Sequence, residues 1–311
     1  MADTDKTIIL TGGTRGLGLA AARVLARDPR NHVVITGRDA ARTAEAAARV
    51  GAHGLVLDLG SLASIDRFST TLRADLRAGR RPPLHVVVGN AGLQVYRGER
   101  TAEGFELTFG ANHLGHVALI EALLDDVRAP GRIVLTSSGT HDPETRTFAP
   151  PPLPIDARAL AFATIAVDGD SDLRDGVRRY ATSKLANVMT AYELARRLSG
   201  RGITVNAFDP GMMPGTGLAR EGPAWLRFGW ATITRLVLLL PRAHTPATSG
   251  ADLAYLATSP EVDGVTASYF VRRRAVPSSR DSYDEALQGA LYADSLALLA
   301  EARAGTARPA G

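Results

Sequence analysis

Cysteine is absent from the 311 residues, so no disulfide and no thiolate chemistry is available to this chain. Lysine is almost absent: Lys6 and Lys184 are the two in the whole sequence, and arginine supplies the rest of the cationic charge. Where arginine is the default cation, a lysine inside a patterned segment marks a place that wants a compact ammonium. No apolar run reaches the ~20 residues of a bilayer span. The nearest, Ala231 to Leu240, is interrupted by Arg235. The N-terminus, MADTDKTIIL, is acidic before its apolar stretch and does not read as a secretion signal, so a cytoplasmic location is expected. Net charge is only +4, with Arg scattered among Asp and Glu. That describes a solvated surface rather than a nucleic-acid patch. His113 and His116 lie three apart with no third partner, so no metal is expected.

What remains is 45% hydrophobic and 22% charged, enough apolar material for a large α/β core. No linker splits the chain, and residues 1–311 read as one domain. Lys6 to Leu10 is a short buried strand. Thr11-Gly-Gly-Thr-Arg-Gly-Leu-Gly18 follows, then the helical run LAAARVLARD. Strand, glycine loop and helix form the context of a dinucleotide site: Gly12, Gly16 and Gly18 let backbone approach a pyrophosphate, and the helix start offers free N–H groups. A second strand, His32 to Thr36, ends in Gly37-Arg38. An acidic residue there suits the ribose hydroxyl of NAD, whereas Arg suits a 2′-phosphate. Arg38 with Arg15 therefore points to NADP(H).

Further strands are expected at His53 to Leu57, Leu84 to Val88, Gly131 to Thr136, Ile203 to Phe208 and Ala267 to Val271. Asp58 ends one of them, placed either to accept from an adenine amino group or to cap the next helix. Asn90-Ala91-Gly92 ends another. A long helix is expected over Phe105 to Val127, with Asn112 inside it, either kinking the helix with a side chain free to hold water or tolerated as a surface residue. Ser137-Ser138 ends the Gly131 strand. His141 lies near, but no nucleophile-elbow pattern surrounds Ser138, which sets hydrolase chemistry aside. Residues 142–177 lack periodicity and read as an insertion. Tyr180 and Lys184 are one turn apart on the next helix, where the cation is expected to lower the phenol's pKa and make it a proton donor. Residues 212–244 read as a substrate lid; its apolar part, 223–240, carries Trp225, Phe228 and Trp230, and a membrane-surface contact is the other reading. Ser282 to Ala302 reads as a helical tail.

Taken in order, Thr11-Gly12-x-x-x-Gly16-x-Gly18, Asn90-Ala91-Gly92, Asn112, Ser138, Tyr180-x-x-x-Lys184 and Pro210-Gly211 resemble the short-chain dehydrogenase/reductase family over roughly residues 6–271. Asn112-His-Leu-Gly-His116 and Ser183-Lys-Leu-Ala-Asn187 are similar to its retinol dehydrogenase and protochlorophyllide reductase branch. The resemblance implies a Rossmann-type, doubly wound parallel sheet of seven strands in the order 3-2-1-4-5-6-7, flanked by helices. It implies a catalytic set of Asn112, Ser138, Tyr180 and Lys184. It implies cofactor contacts from Gly12, Thr14, Arg15, Gly16, Leu17, Gly18, Arg38, Asp58, Leu59, Asn90, Ala91, Gly92, Tyr180, Lys184, Pro210, Gly211 and Met213. The expected activity is NADP(H)-dependent reduction of a ketone or aldehyde on a bulky, apolar small molecule, or the reverse. A C=C reductase and a non-catalytic NADP sensor are the alternatives. A homodimer or homotetramer is expected by resemblance alone. Three positions depart from the family: Gly89 replaces a usual Asn, Gly215 replaces a usual hydroxyl that Thr216 would have to supply, and the stretch between Ser138 and Tyr180 is long.

Overall fold

The chain is described here by a computed structural model covering residues 4–96, 98–145, 147, 149–165, 171–211, 213 and 244–309. Alternation within the first strand, β1 (Lys6–Leu10), sets the layout. All five residues are buried, Ile8 and Leu10 in one apolar cluster and Ile9 in another. A strand buried on both faces belongs inside a sheet covered by helices on both sides. The other strands are β2 (Asn31–Gly37), β3 (His53–Val56), β4 (Leu84–Gly89), β5 (Val127–Thr136), β6 (Ile203–Asp209), β7 (Ser268–Val271) and β8 (Arg274–Val276). Their spatial order is β3-β2-β1-β4-β5-β6-β7-β8. The first seven are parallel and follow the expected order; β8 runs antiparallel to β7.

Helices α1 (Gly16–Leu25) and α2 (Ala40–Ala48) lie on the Ile8 side. The opposite layer holds α3 (Leu62–Arg77), α4 (Leu107–Phe109), α5 (Gly115–Leu123), α6 (Ala157–Phe162) and α7 (Asp172–Arg197). After α7 come α8 (Pro246–Thr258), on the first face, and α9 (Glu285–Arg303), on the second. The chain leaves β1 outward to β2 and β3, then returns to add β4 on β1's other side. The loops after β1 and β4 diverge there, opening a crevice at the strands' carboxyl ends.

Four expectations need correction. The helix predicted over Phe105 to Val127 is three pieces: α4, a π-turn at Gly110–Leu114, and α5. Glu106 begins it by accepting from the Thr108 and Phe109 amides, and the wide turn falls where the Asn112 side chain is tied to a neighbouring segment. The fifth strand starts at Val127, because Val127 pairs with Leu84 ahead of a register shift. The segment 142–177 contains α6, capped by Asp156, and the first turns of α7, capped by Ser171; a proline-rich run, APPPLP, precedes α6 and breaks any helical period there. The C-terminal helix is no tail: Leu291, Tyr292, Leu298 and Leu299 are in the core. β8 was missed because its residues are exposed and its run, RRRAV, is charged. Apart from Met213 and His244, the expected lid, with Thr216 and the apolar 223–240 run, lies outside the described residues. Among those that are described, no helix is long and apolar enough to cross a membrane.

Candidate active site

The glycine loop is stitched to the end of β4 by backbone and side-chain bonds. Thr11 Oγ1 accepts from the amides of Asn90 and Ala91, both at 2.9 Å, and Asn90 Nδ2 donates to Thr11 O at 2.8 Å. Gly12 adopts φ +68°, a conformation that suits glycine. Gly18 is required for closeness: a Cβ there would lie 2.3 Å from Gly12 O and 2.7 Å from Asn90 Nδ2. Gly18→Ala is therefore expected to destabilise the fold by about 1–3 kcal/mol, as overpacking does. A urea unfolding midpoint lower than wild type checks this, and an unchanged one contradicts it. The start of α1 has no side-chain cap and no acidic residue in its first turn. The starts of α2, α3, α7, α8 and α9 are capped by Asp39, Ser61, Ser171, Thr245 and Asp284. Open amides at α1, above a cradle that only glycine allows, fit the pyrophosphate of a dinucleotide.

The crevice has a volume of about 650 Å³. Every candidate residue lines it except Ser138 and Gly211. Arg15 and Arg38 are exposed on its glycine-loop side, and Arg42 and Arg49 of α2 also line it. The latter two escaped the sequence reading; Arg42, one turn after Arg38, carried a usable signal. Asp58 does not cap α3. Its Oδ1 accepts from Gly60 N at 2.9 Å, while Ser61 caps the helix.

On the same crevice, Tyr180 and Lys184 are brought together by α7, as the spacing predicts. Both are buried. Lys184 Nζ donates to Thr136 O at 3.1 Å and lies 5.3 Å from the Tyr180 ring centroid. The expected lowering of the phenol's pKa is reversed. Burial pushes it up, the Asp209 charge adds to that, and the Ser138 hydroxyl opposes by hydrogen-bonding it. The physical reason is burial, which penalises the phenolate; the Lys184 ammonium donates to Thr136 O rather than to the phenol. Lys184 itself is lowered to about 8 by burial, with Asp209 holding it back. The neighbouring hydroxyls divide their work. Ser137 Oγ donates to Lys184 O at 2.9 Å, whereas Ser138 turns to Tyr180 and accepts from Thr140 N at 3.3 Å.

Asn112 is not free to hold water through its amide hydrogens. Nδ2 donates to Leu93 O at 2.8 Å and to Ser183 Oγ at 3.1 Å, and Oδ1 accepts from Leu93 N at 2.9 Å. It clamps the segment after β4 to α7. His116 is a packed link: Nδ1–H donates to Asn112 O at 2.9 Å and Nε2 accepts from the Thr11 hydroxyl at 3.0 Å. Burial lowers His116 to about 4 and His113 to about 3, so both are neutral. His141 forms no nucleophile–base pair. Its Nδ1–H donates to Ser138 O at 2.7 Å and its Nε2 accepts from Ser279 N at 3.2 Å, so both nitrogens are spent on backbone. Among the described residues no group of three His, Asp or Glu could hold a metal ion.

The short chain dehydrogenase family profile matches residues 6–148. Over 309 residues the chain is 33% identical to polyprenol dehydrogenase from Danio rerio, covering 94% of this chain and 86% of that one. This chain belongs to the short-chain dehydrogenase/reductase family. It is also 32% identical to human retinol dehydrogenase 14, covering 85% of this chain and 77% of that protein. With protochlorophyllide reductase from Avena sativa the identity is 37%, covering 69% and 73%. Among solved structures, a blue fluorescent protein from a metagenomic library in complex with NADPH superposes with a TM-score of 0.62 at 25% identity, covering 86% and 96%.

Proposed function

We propose that this oxidoreductase uses NADP(H) to reduce a ketone or aldehyde on a bulky, apolar small molecule, with Tyr180 as the proton donor. The observation that carries the reading is the placement of Tyr180 and Lys184, with Ser138 next to Tyr180, on a crevice that also holds a glycine cradle. The nicotinamide supplies the hydride when bound. The open amides of α1, with Gly12, Thr14, Gly16 and Leu17, would hold the pyrophosphate; Asp58, Leu59, Asn90 and Ala91 would line the adenosine and ribose. Gly92, Pro210, Gly211 and Met213 would flank the nicotinamide. Tyr180 holds its proton across the neutral range, because burial and Asp209 keep it on. An alkoxide is far more basic than a phenolate, so transfer from Tyr180 to the nascent alkoxide is downhill. Ser138, bonded to Tyr180, is positioned to steady the same oxygen as its charge grows. Lys184 is an ammonium at neutral pH and would hold the nicotinamide ribose.

The preference for NADP(H) rests on Arg15 and Arg38 at the rim, joined by Arg42. Arg38→Asp is expected to weaken NADPH by the worth of one charge-assisted contact, about 1.5–3 kcal/mol, and NADH by less. Titrating both cofactors checks this; equal losses contradict it. The substrate class is supported by relatives named for polyprenol, retinol and protochlorophyllide, all bulky and mostly apolar molecules. A screen of such carbonyl compounds, followed by NADPH absorbance, tests it; activity confined to small polar sugars or hydroxy acids sinks it. A second reading, reduction of a C=C bond, draws on the protochlorophyllide reductase likeness. An alcohol product excludes it. A sensor without turnover has no use for the Ser138, Tyr180 and Lys184 cluster.

A further inference from the structure

Ser138 has to keep its hydroxyl beside Tyr180, yet it stands on a turn that has left the sheet. Ser137 N still bonds Phe208 O of β6 at 2.7 Å; Ser138 opens the 3₁₀ turn Gly139–His141 beyond the end of β5. The turn closes on itself through backbone, His141 N to Ser138 O at 3.0 Å. The buried His141 ring adds a second bond to the same oxygen, from Nδ1–H at 2.7 Å. Its other nitrogen reaches away from the turn, and Nε2 accepts from Ser279 N at 3.2 Å. An amide can only donate and a carbonyl can only accept, so these two backbone partners fix a neutral ring with its proton on Nδ1. The Tyr269 ring of β7 packs against it, 4.8 Å between centroids. The segment behind the ring is fastened to the helix that carries Tyr180. Next to Ser279, Ser278 Oγ bonds the Tyr192 hydroxyl of α7 and Ser282 Oγ, each at 2.7 Å. A chain of contacts therefore runs from α7 through Ser278, Ser279 and His141 to the carbonyl of Ser138.

We infer that His141 is a positioning residue: backed by the segment 277–283, it clamps the Ser138 backbone so that the Ser138 hydroxyl stays in register with Tyr180. This rests on the carbonyl-reductase reading above, since it concerns the same pair. The turn forms without the ring, because His141 N holds Ser138 O by itself. The Ser138 side chain is also oriented within the turn, where Oγ accepts from Thr140 N at 3.3 Å. What the ring adds is the tilt of the whole turn against the rest of the molecule. It matters because a shift of about 1 Å in a group that must meet a reacting oxygen can cost about 10²-fold in rate. Ser279 lies beyond Pro210-Gly211, the last of the family motifs, so the C-terminal part of the chain completes the site from outside them.

The test separates the two ring nitrogens. His141→Asn sets an amide N–H near the place of Nδ1 and keeps a donor for Ser138 O. His141→Gln reaches the place of Nε2 and gives that donor up. Ser279→Pro leaves the ring and deletes the N–H behind it, at a φ of −59° that proline shares. With NADPH and an apolar aromatic ketone that the wild type reduces, His141→Gln is expected to lower kcat by about 10–100-fold with KM for NADPH unchanged. His141→Asn should recover most of that loss, and Ser279→Pro should fall between the two. The deciding comparison is made in Ser138→Ala, where nothing is left to position: there His141→Gln and Ser279→Pro should each cost less than about twofold. Equal losses in His141→Asn and His141→Gln overturn the inference, and so does a loss in Ser138→Ala as large as in the wild type, which would trace the effect to packing. Should His141→Gln not fold, Ser279→Pro with and without Ser138→Ala carries the same comparison. A wild type that reduces no carbonyl compound overturns the functional reading, and this inference with it. Activity that is lost in Tyr180→Phe but indifferent to His141→Gln and Ser279→Pro overturns this inference alone.

Discussion

Tyr180→Phe is expected to lower the rate of NADPH-linked carbonyl reduction by about 10²–10⁴-fold, the usual worth of a positioned general acid. NADPH affinity should be unchanged. Phenylalanine fills the same space in α7 and keeps the buried ring; only the hydroxyl goes, and with it the bond to Ser138. The loss should therefore fall on turnover at saturating NADPH and not on cofactor binding, since the variant leaves the glycine loop and the Arg38 rim intact. Full activity in this variant would remove Tyr180 from the chemistry. A matching loss of NADPH affinity would mean the ring, not the hydroxyl, was being read.

Lys184→Met carries the second large effect, and it has two parts of opposite sign. Activity should fall by about 10²–10³-fold, as for loss of a preorganised electrostatic group. Stability at pH 7 should rise. Burial lowers Lys184 from 10.5 to about 8, so its charged form is disfavoured in the fold by about 3 kcal/mol at neutral pH. Below pH 8 both folded and unfolded chains hold the proton, and the cost is constant. Between about 8 and 10.5 the folded chain has lost the proton and the unfolded chain keeps it, so wild-type stability climbs with pH. Tyr180 acts the other way above 10, where the unfolded phenol ionises and the folded one does not. Methionine removes a buried charge without orphaning its partner, because Thr136 O still accepts from Asn187 Nδ2 at 3.2 Å. Urea unfolding at pH 7 and pH 10 should show the variant's advantage at the lower pH and its decline at the higher. A variant less stable than wild type at pH 7, or an advantage independent of pH, contradicts this.

The parts of the fold that were legible in the sequence are those with a strong local signal. Buried strands such as Ile8-Ile9-Leu10 announce themselves by apolar content, and the Gly12–Gly18 loop by steric need. Tyr180 and Lys184 meet because helical periodicity puts them one turn apart. What was not legible depends on tertiary partners. The π-turn at Asn112 reflects an amide tied to Leu93, far away in sequence. β8 exists because β7 offers it an edge, not because RRRAV favours a strand. The direction of the Tyr180 shift turns on burial first and on Asp209 second, and helical spacing shows neither. Asp209 itself looked like one more residue before a Pro-Gly turn. Arg49 joins the rim only once α2 is packed against β2 and β3.

The most direct measurement is where the label goes when NADPH carrying deuterium at the transferable position is mixed with this protein and a bulky apolar ketone. The account predicts an alcohol with deuterium on the former carbonyl carbon, formed by the wild type and lost in Tyr180→Phe. Deuterium on a carbon of a former double bond, with the carbonyl intact, or label transfer that persists without the Tyr180 hydroxyl, would contradict it.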